Sequence, residues 1–127
     1  MMQPQAPFTK TKTILVCDDE ESLRELIRAV LGDAYRYVEA EDGDVALELI
    51  RAEAPDLIVL DVMLPRRNGL EVLAELRRDP EHGKIPVIVV TAWSYAVDAA
   101  SAAGADVFLP KPFEPEHLKG TVEELIG

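Results

Sequence analysis

Five residues in this 127-residue chain are of types that can do chemistry together: Asp18, Asp19, Asp61, Thr91 and Lys111. Each closes or follows a short apolar run: "ILVCDD" (14–19), "DLIVLD" (56–61), "PVIVVT" (86–91) and "DVFLPK" (106–111). Adjacent carboxylates about 4 Å apart repel by about 4 kcal/mol when the effective dielectric is about 20. A chain that needed only to fold would rarely place such a pair at the end of a buried strand. Clustered carboxylates raise one another's pKa unless a cation sits among them. All-oxygen ligands favour a hard ion, and a few carboxylates with room for water suit Mg²⁺ better than a closed calcium cage. The ordered Asp-x-Asp-x-Asn-Gly loop of calcium sites does not occur. The compensating charge is therefore read as a divalent metal with Lys111 beside it. Each residue alone has a blander explanation. Asp18 or Asp19 could cap a helix, Asp61 could turn a strand-to-loop corner, Thr91 could be an ordinary strand residue, and Lys111 a solvated cation. Those readings explain one residue well and five strand ends badly.

The elements that must carry these residues follow from hydrophobic periodicity. Candidate strands cover 13–18, 35–40, 56–61, 86–91 and 106–110. Three are almost continuously apolar, as parallel strands covered on both faces tend to be. Leu23, Leu26, Ile27, Val30 and Leu31 have the spacing of one helix face, and Gly32 stops that helix. Val45, Ala46, Leu49 and Ile50 mark a second helix, entered through Asp42-Gly43-Asp44 and left before Pro55. Leu70, Val72, Leu73 and Leu76 mark a third, after Asn68-Gly69. An Ala-rich fourth runs from about Ser94 to Ala103 and ends at Gly104. The last runs from Pro115 to Ile126, with Leu118, Val122, Leu125 and Ile126 facing inward and proline in its first turn. Strands alternating with helices imply right-handed βαβ crossovers and one parallel sheet with helices on both faces. In such sheets ligands bind beyond the carboxyl ends of the strands, near the switch in strand order.

The totals bound the rest. The length suits one domain with a single core. Net charge is −11, from 24 acidic and 13 basic residues, which argues against direct binding to nucleic acid. Cys17 is the single cysteine, so there is no disulfide framework, and it is read as a small core residue. No apolar stretch approaches the ~20 residues of a membrane helix. The opening "MMQPQAPFTKTKT" has polar residues and proline where a signal peptide would be apolar. Residues 1–11 are expected to be a disordered tail before a domain over 12–127, with a cytoplasmic location. The initiating Met and this tail favour a natural N-terminus.

The combination of "CDDEES", "DLIVLDVMLPRRNGLEVL", "VIVVTA" and "GADVFLPKPF" closely resembles the receiver domain of two-component response regulators, over residues 12–126. That resemblance implies a doubly wound, flavodoxin-like α/β fold: five parallel strands in the order 2-1-3-4-5, with five helices. It also implies that a histidine kinase or phosphotransfer protein delivers a phosphoryl group to Asp61. Asp19 and Asp61 would bind Mg²⁺ through side chains, Met63 through its backbone carbonyl and Asp18 chiefly through water, with Mn²⁺ as a substitute. Thr91 would bond a phosphoryl oxygen, Lys111 would pair with the acids and then the phosphate, and Phe108 falls at the switch aromatic position. Lys111-Pro112 is where the family carries a cis peptide. The module would be a switch rather than an enzyme. It would act on a downstream protein or output domain through its helix 4–strand 5–helix 5 face, with a phosphorylation-dependent dimer as one form of output.

The chain also departs from the family. Thr91 and Lys111 are 20 residues apart, about two fewer than usual, while Gly104 to Lys111 keeps its spacing. The deficit falls in the loop after Thr91 or in the fourth helix, which is expected to be brief or irregular. Met63 and Trp93 are bulkier than many members carry and are assigned to tuning the phosphate's lifetime. His82 and His117 are given no relay role. Two other readings stand beside the switch: a receiver-like binding module that no longer uses phosphate, and a Mg-dependent aspartyl-phosphate hydrolase. The second usually needs Asp-x-Asp after the first strand and a cap segment, and neither occurs here.

Overall fold

Parallel strands form where apolar runs can be covered on both faces, and the most buried segments of the chain obey that rule. The computed structural model describes residues 11–127 apart from the Ser94 side chain, so the expected tail lies, but for its last residue, outside the described residues. Strands β1 (Thr13–Cys17), β2 (Arg36–Ala40), β3 (Leu57–Leu60), β4 (Val87–Thr91) and β5 (Val107–Pro110) make one parallel sheet in the order β2-β1-β3-β4-β5. This is the doubly wound fold expected. Helices α1 (Glu21–Leu31) and α5 (Pro115–Ile126) cover one face, and α2 (Gly43–Glu53), α3 (Gly69–Arg77) and α4 (Val97–Ala103) the other. The alternation of β1 feeds both cores. Ile14 and Val16 join Ile27, Leu31, Leu118 and Val122, whereas Leu15 and Cys17 join Ile50, Leu73 and Leu76. All five residues of β1 and of β4 are buried.

One expectation about the helices needs correction, and the brief or irregular fourth helix is found as expected. Leu26, placed on the inward stripe of α1, is 46% exposed. At 100° per residue it stands at one edge of that stripe, and only Leu23, Ile27, Val30 and Leu31 join the core on that face of the sheet. The fourth helix does not run unbroken from Ser94. A 3₁₀ turn, Ser94–Ala96, precedes an α-helix of seven residues. Its first turn has no side-chain cap, so its start is the less restrained end.

The other end of α4 is held firmly. Arg77, at the end of α3, donates from Nε to the Gly104 carbonyl (2.9 Å). It also donates to the Gly83 (3.0 Å) and Ile85 (2.7 Å) carbonyls and to Asp106 Oδ2 (2.9 Å). These bonds tie α3, the start of β4 and the α4–β5 turn together. Hydrogen bonds from a charged donor contribute about 1.5–3 kcal/mol each, whereas solvent screens exposed pairs such as Arg67–Asp44 and leaves them a minor contribution.

Two helical glycines should respond oppositely to alanine. A Cβ at Gly69, the first residue of α3, would lie 2.2 Å from the Asp61 carbonyl oxygen, while one at Gly120 in α5 would meet nothing within 4 Å. Gly69→Ala is expected to destabilise by about 1–3 kcal/mol, the usual cost of overpacking. Gly120→Ala is expected to stabilise by about 0.5–1 kcal/mol through helix propensity. Urea unfolding of the two variants measures both, and equal midpoints would contradict the packing described.

Candidate functional site

Strand order decides which chain ends meet. Cys17 is in register with Leu60 across the β1–β3 pair, so the residues that follow, Asp18 and Asp61, emerge side by side at the carboxyl edge. The Asp61 N–H donates to the Cys17 carbonyl at 3.0 Å, and the Asp18 N–H to the Ala40 carbonyl at 3.0 Å. Both side chains are nearly buried, at 3% and 5% exposure, while Asp19 is exposed. Oxygen atoms of Asp18, Asp19 and Asp61 lie within 4.8 Å of one another. Lys111 follows β5 and reaches back over β4. Its Nζ donates to Asp18 Oδ2 at 2.9 Å and to Asp61 Oδ2 at 2.8 Å. The peptide between Lys111 and Pro112 is cis.

Each carboxylate has a backbone donor as well. Asp18 Oδ1 accepts from the Glu20 N–H at 2.8 Å and Asp61 Oδ1 from the Met63 N–H at 3.1 Å. Burial raises the Asp18 carboxyl above its ordinary value, opposed by the Glu20 N–H and Lys111. Burial also works against the charge on Lys111, but its bonds to Asp61 and Asp18 outweigh that and its pKa lies above normal. The two acids and the lysine therefore form a compact hydrogen-bonded group at the edge of the sheet. A third carboxylate, Asp19, makes the donor set rich in oxygen and short of positive charge, which fits a hard divalent cation. Cys17 is not part of this chemistry. Burial, then the Asp18 charge, push its thiol up and leave it an inert core residue.

Thr91, wholly buried at the end of β4, accepts the Trp93 N–H on Oγ1 at 3.3 Å. Its carbonyl accepts the Lys111 N–H at 2.8 Å, which extends the β4–β5 pairing to the lysine. Phe108 lies on β5 opposite Val89. It is half-buried and packs on the core beneath α2, α3 and α4. Met63 and Trp93, 44% and 39% exposed, line a cavity of about 370 Å³ with Asp19, Val62, Leu64, Pro65 and Asn68. The structure thus brings Asp18, Asp19, Asp61 and Lys111 together, sets Thr91 on the neighbouring strand, and puts Met63 and Trp93 at the rim. His82 instead pairs with Asp79 at 3.1 Å, and His117 lies exposed on α5.

Three contributors were not evident in the sequence. Arg24, one turn into α1, donates to the Asp18 carbonyl and to Glu39, fixing the backbone that carries the acids. Gly69 lets α3 start against the Asp61 carbonyl, and its N–H donates to the Val62 carbonyl at 2.8 Å. Asn68 and Glu71 form a reciprocal cap on that same helix. Of these only the cap has a sequence signal, because "NGLE" offers an N-cap residue with glutamate three positions on.

Known proteins share this fold. A family model described as the response regulator receiver domain matches residues 14–123. The chain is similar to the response regulator MprA of Mycolicibacterium vanbaalenii, with 41% identity over 116 residues, covering 89% of this chain and 49% of that protein. The chain therefore spans about half the length of the curated relatives it matches. Its fold is similar to the chemotaxis response regulator CheY4 of Vibrio cholerae (TM-score 0.84, 29% identity, 92% of this chain and 100% of that one). It is also similar to a phosphorylated cyanobacterial phytochrome response regulator, RcpA (TM-score 0.83, 28% identity, 93% and 96%). With the matched residues covering all five strands and the edge where their acids converge, the chain belongs to the response regulator receiver domain family.

Proposed function

We propose that residues 12–127 form a phosphorylation switch in which Asp61 accepts a phosphoryl group from the phosphohistidine of a kinase or phosphotransfer protein. The observation that carries this reading is the bridging of two nearly buried carboxylates by Lys111 beside a third carboxylate. An Asp61 oxygen bonds to phosphorus as the donor's phosphorus–nitrogen bond breaks and the imidazole leaves with the electron pair. Little covalent chemistry is asked of the protein, so positioning and charge supply the rate. Asp19 and Asp61, the Met63 carbonyl and, through water, Asp18 would hold Mg²⁺, which screens the charge of the phosphoryl oxygens when bound. Mn²⁺ would substitute. Lys111 stays within reach of Asp61 and turns from the acids to the phosphate. Thr91 donates its hydroxyl to a phosphoryl oxygen. The location is cytoplasmic, where kinases draw on nucleotide; among the described residues no helix is long and apolar enough to cross a membrane.

Output follows from the same edge. The phosphoryl group adds nearly two negative charges and three strong acceptors, and Thr91 moves inward to meet it. That motion pulls on the turn before α4 and frees space that Phe108 can fill. The α4–β5–α5 face then presents a changed surface to a protein partner or output domain, or to a second copy. The half-buried Phe108 and the short, uncapped α4 support this. Phe108 has no hydroxyl to leave in water, so its inward state gains from apolar burial alone.

Three outcomes test the proposal. Incubation with acetyl phosphate and Mg²⁺ should add one phosphoryl mass to the intact protein, and Asp61→Asn or EDTA should abolish it; an adduct surviving either would refute the assignment. The phosphoprotein should last minutes to hours, because Met63 and Trp93 restrict water, and Met63→Asn and Trp93→Glu should each shorten that lifetime by about tenfold, or ~1.4 kcal/mol of barrier. Finally, NMR of the Mg²⁺-bound, unphosphorylated protein should find the inward Phe108 rotamer substantially populated. A Phe108 held wholly outward would overturn the output mechanism.

A further inference from the structure

The connection between β4 and α4 carries an exposed aromatic pair. Trp93 and Tyr95 stack with ring centroids 5.5 Å apart and planes 21° from parallel. They are 39% and 76% exposed, so core packing does not fix either ring. An indole this exposed would ordinarily exchange rotamers freely. The Trp93 backbone, by contrast, is tied at both ends. Its N–H donates to Thr91 Oγ1 at 3.3 Å, and its carbonyl accepts the Ala96 N–H at 3.0 Å. Ala96 is buried beneath α4, which anchors the turn on which Tyr95 stands. Tyr95 is thus a ring on a fixed base, and Trp93 is a ring that shares the cavity with Asp19, Met63 and Asn68. Offset-stacked aromatic pairs attract beyond the area they bury, so the fixed base restrains the indole.

We propose that Tyr95 is a positioning residue for the chemistry at Asp61: by stacking on Trp93 it holds the indole across the cavity mouth and so sets the lifetime of the aspartyl phosphate. The inference rests on the shielding by Trp93 proposed above. In the hydrolysis it slows, a water oxygen bonds to phosphorus while the phosphorus–oxygen bond to Asp61 breaks. The electron pair returns to the carboxylate, a water proton passes to solvent, and inorganic phosphate leaves. Tyr95 touches none of these atoms. Its effect is on how often the approach of water is open. The stacking face of the ring matters and the hydroxyl does not, so phenylalanine should serve equally.

The full chain provides its own probe, because Trp93 is its single tryptophan. Wild type, Tyr95→Ala, Tyr95→Phe and Trp93→Glu are phosphorylated with acetyl phosphate and Mg²⁺. The donor is removed and loss of the phosphoryl mass is followed. Quenching of Trp93 emission by acrylamide is measured on the unphosphorylated proteins, and thermal melts check folding. Tyr95→Ala should decay about two- to tenfold faster than wild type, with Trp93 more readily quenched and an unchanged melt. Tyr95→Phe should match wild type in decay and quenching. An unchanged decay in Tyr95→Ala, while Trp93→Glu is fast, would overturn the role of Tyr95 and leave the shielding intact. Unchanged decay in both would remove the shielding itself and the inference with it. Tyr95→Phe as fast as Tyr95→Ala would also overturn it, since the hydroxyl would then be the active part. Surface substitutions rarely cost much stability. Should Tyr95→Ala melt early, Tyr95→Leu, apolar but unable to stack, carries the same expectations.

Discussion

Two carboxylates buried side by side cannot both stay ionised without a nearby positive charge, and in this protein one ammonium group serves both. Lys111 lies within 2.9 Å of Asp18 and 2.8 Å of Asp61. Because β1 and β3 are neighbours, their end residues are forced together. Because β5 is two strands from β3, its lysine must cross over the end of β4 to reach them. Strands lie about 4.8 Å apart, so the crossing uses most of the length of a lysine side chain. A shorter or differently directed base could not bridge the pair. The crossing also sets Lys111 above Thr91, whose carbonyl accepts the lysine's own N–H. Charge balance at one edge thereby couples three strands that are not all adjacent.

The surroundings keep that edge rigid on one side and loose on the other. On the rigid side, Arg24 holds the Asp18 carbonyl and reaches Glu39 on β2. The β3–α3 loop is fixed by the close approach of Gly69 to Asp61 and by the Asn68–Glu71 cap. Arg77 pins the far end of α4 through the Gly104 carbonyl. On the loose side, α4 starts without a side-chain cap, after a single 3₁₀ turn that is seated in the core by Ala96. Under the proposed switch a charge added at Asp61 would act on Thr91, whose Oγ1 accepts the Trp93 N–H just before that turn. Movement is therefore favoured at the start of α4 rather than at its end, since fewer bonds must break there.

The β4–α4 connection brings two properties together in five residues. Trp93 stands at the cavity beside the acids, Tyr95 stacks on it, and Ala96 seats the turn beneath α4. The segment that lines the cavity beside the acids is thus also the one that joins the site to α4. A loop two residues longer would separate these tasks. The short interval between Thr91 and Gly104 holds a single 3₁₀ turn and a seven-residue α4.

Much of this was legible in the sequence. The apolar runs gave the strands within a residue or so, and the acids at their ends marked the edge where the carboxylates converge, because strand ends and helix periods are local properties of the chain. The parallel sheet followed from alternation, and its strand order from the family likeness. Other features had no local signal. Leu26 has the right spacing for burial, yet periodicity fixes only a side chain's angle about its own helix, and the elements packed against α1 leave it 46% exposed. Arg77 reads as one more surface cation until four acceptors from two other segments converge on it. The stacking of Trp93 on Tyr95 depends on a 3₁₀ turn that sequence spacing alone would have drawn as helix. The types and order of the residues were set by the sequence itself. Which of them touch was decided by tertiary packing, because contacts between distant segments depend on the angles and gaps between whole elements.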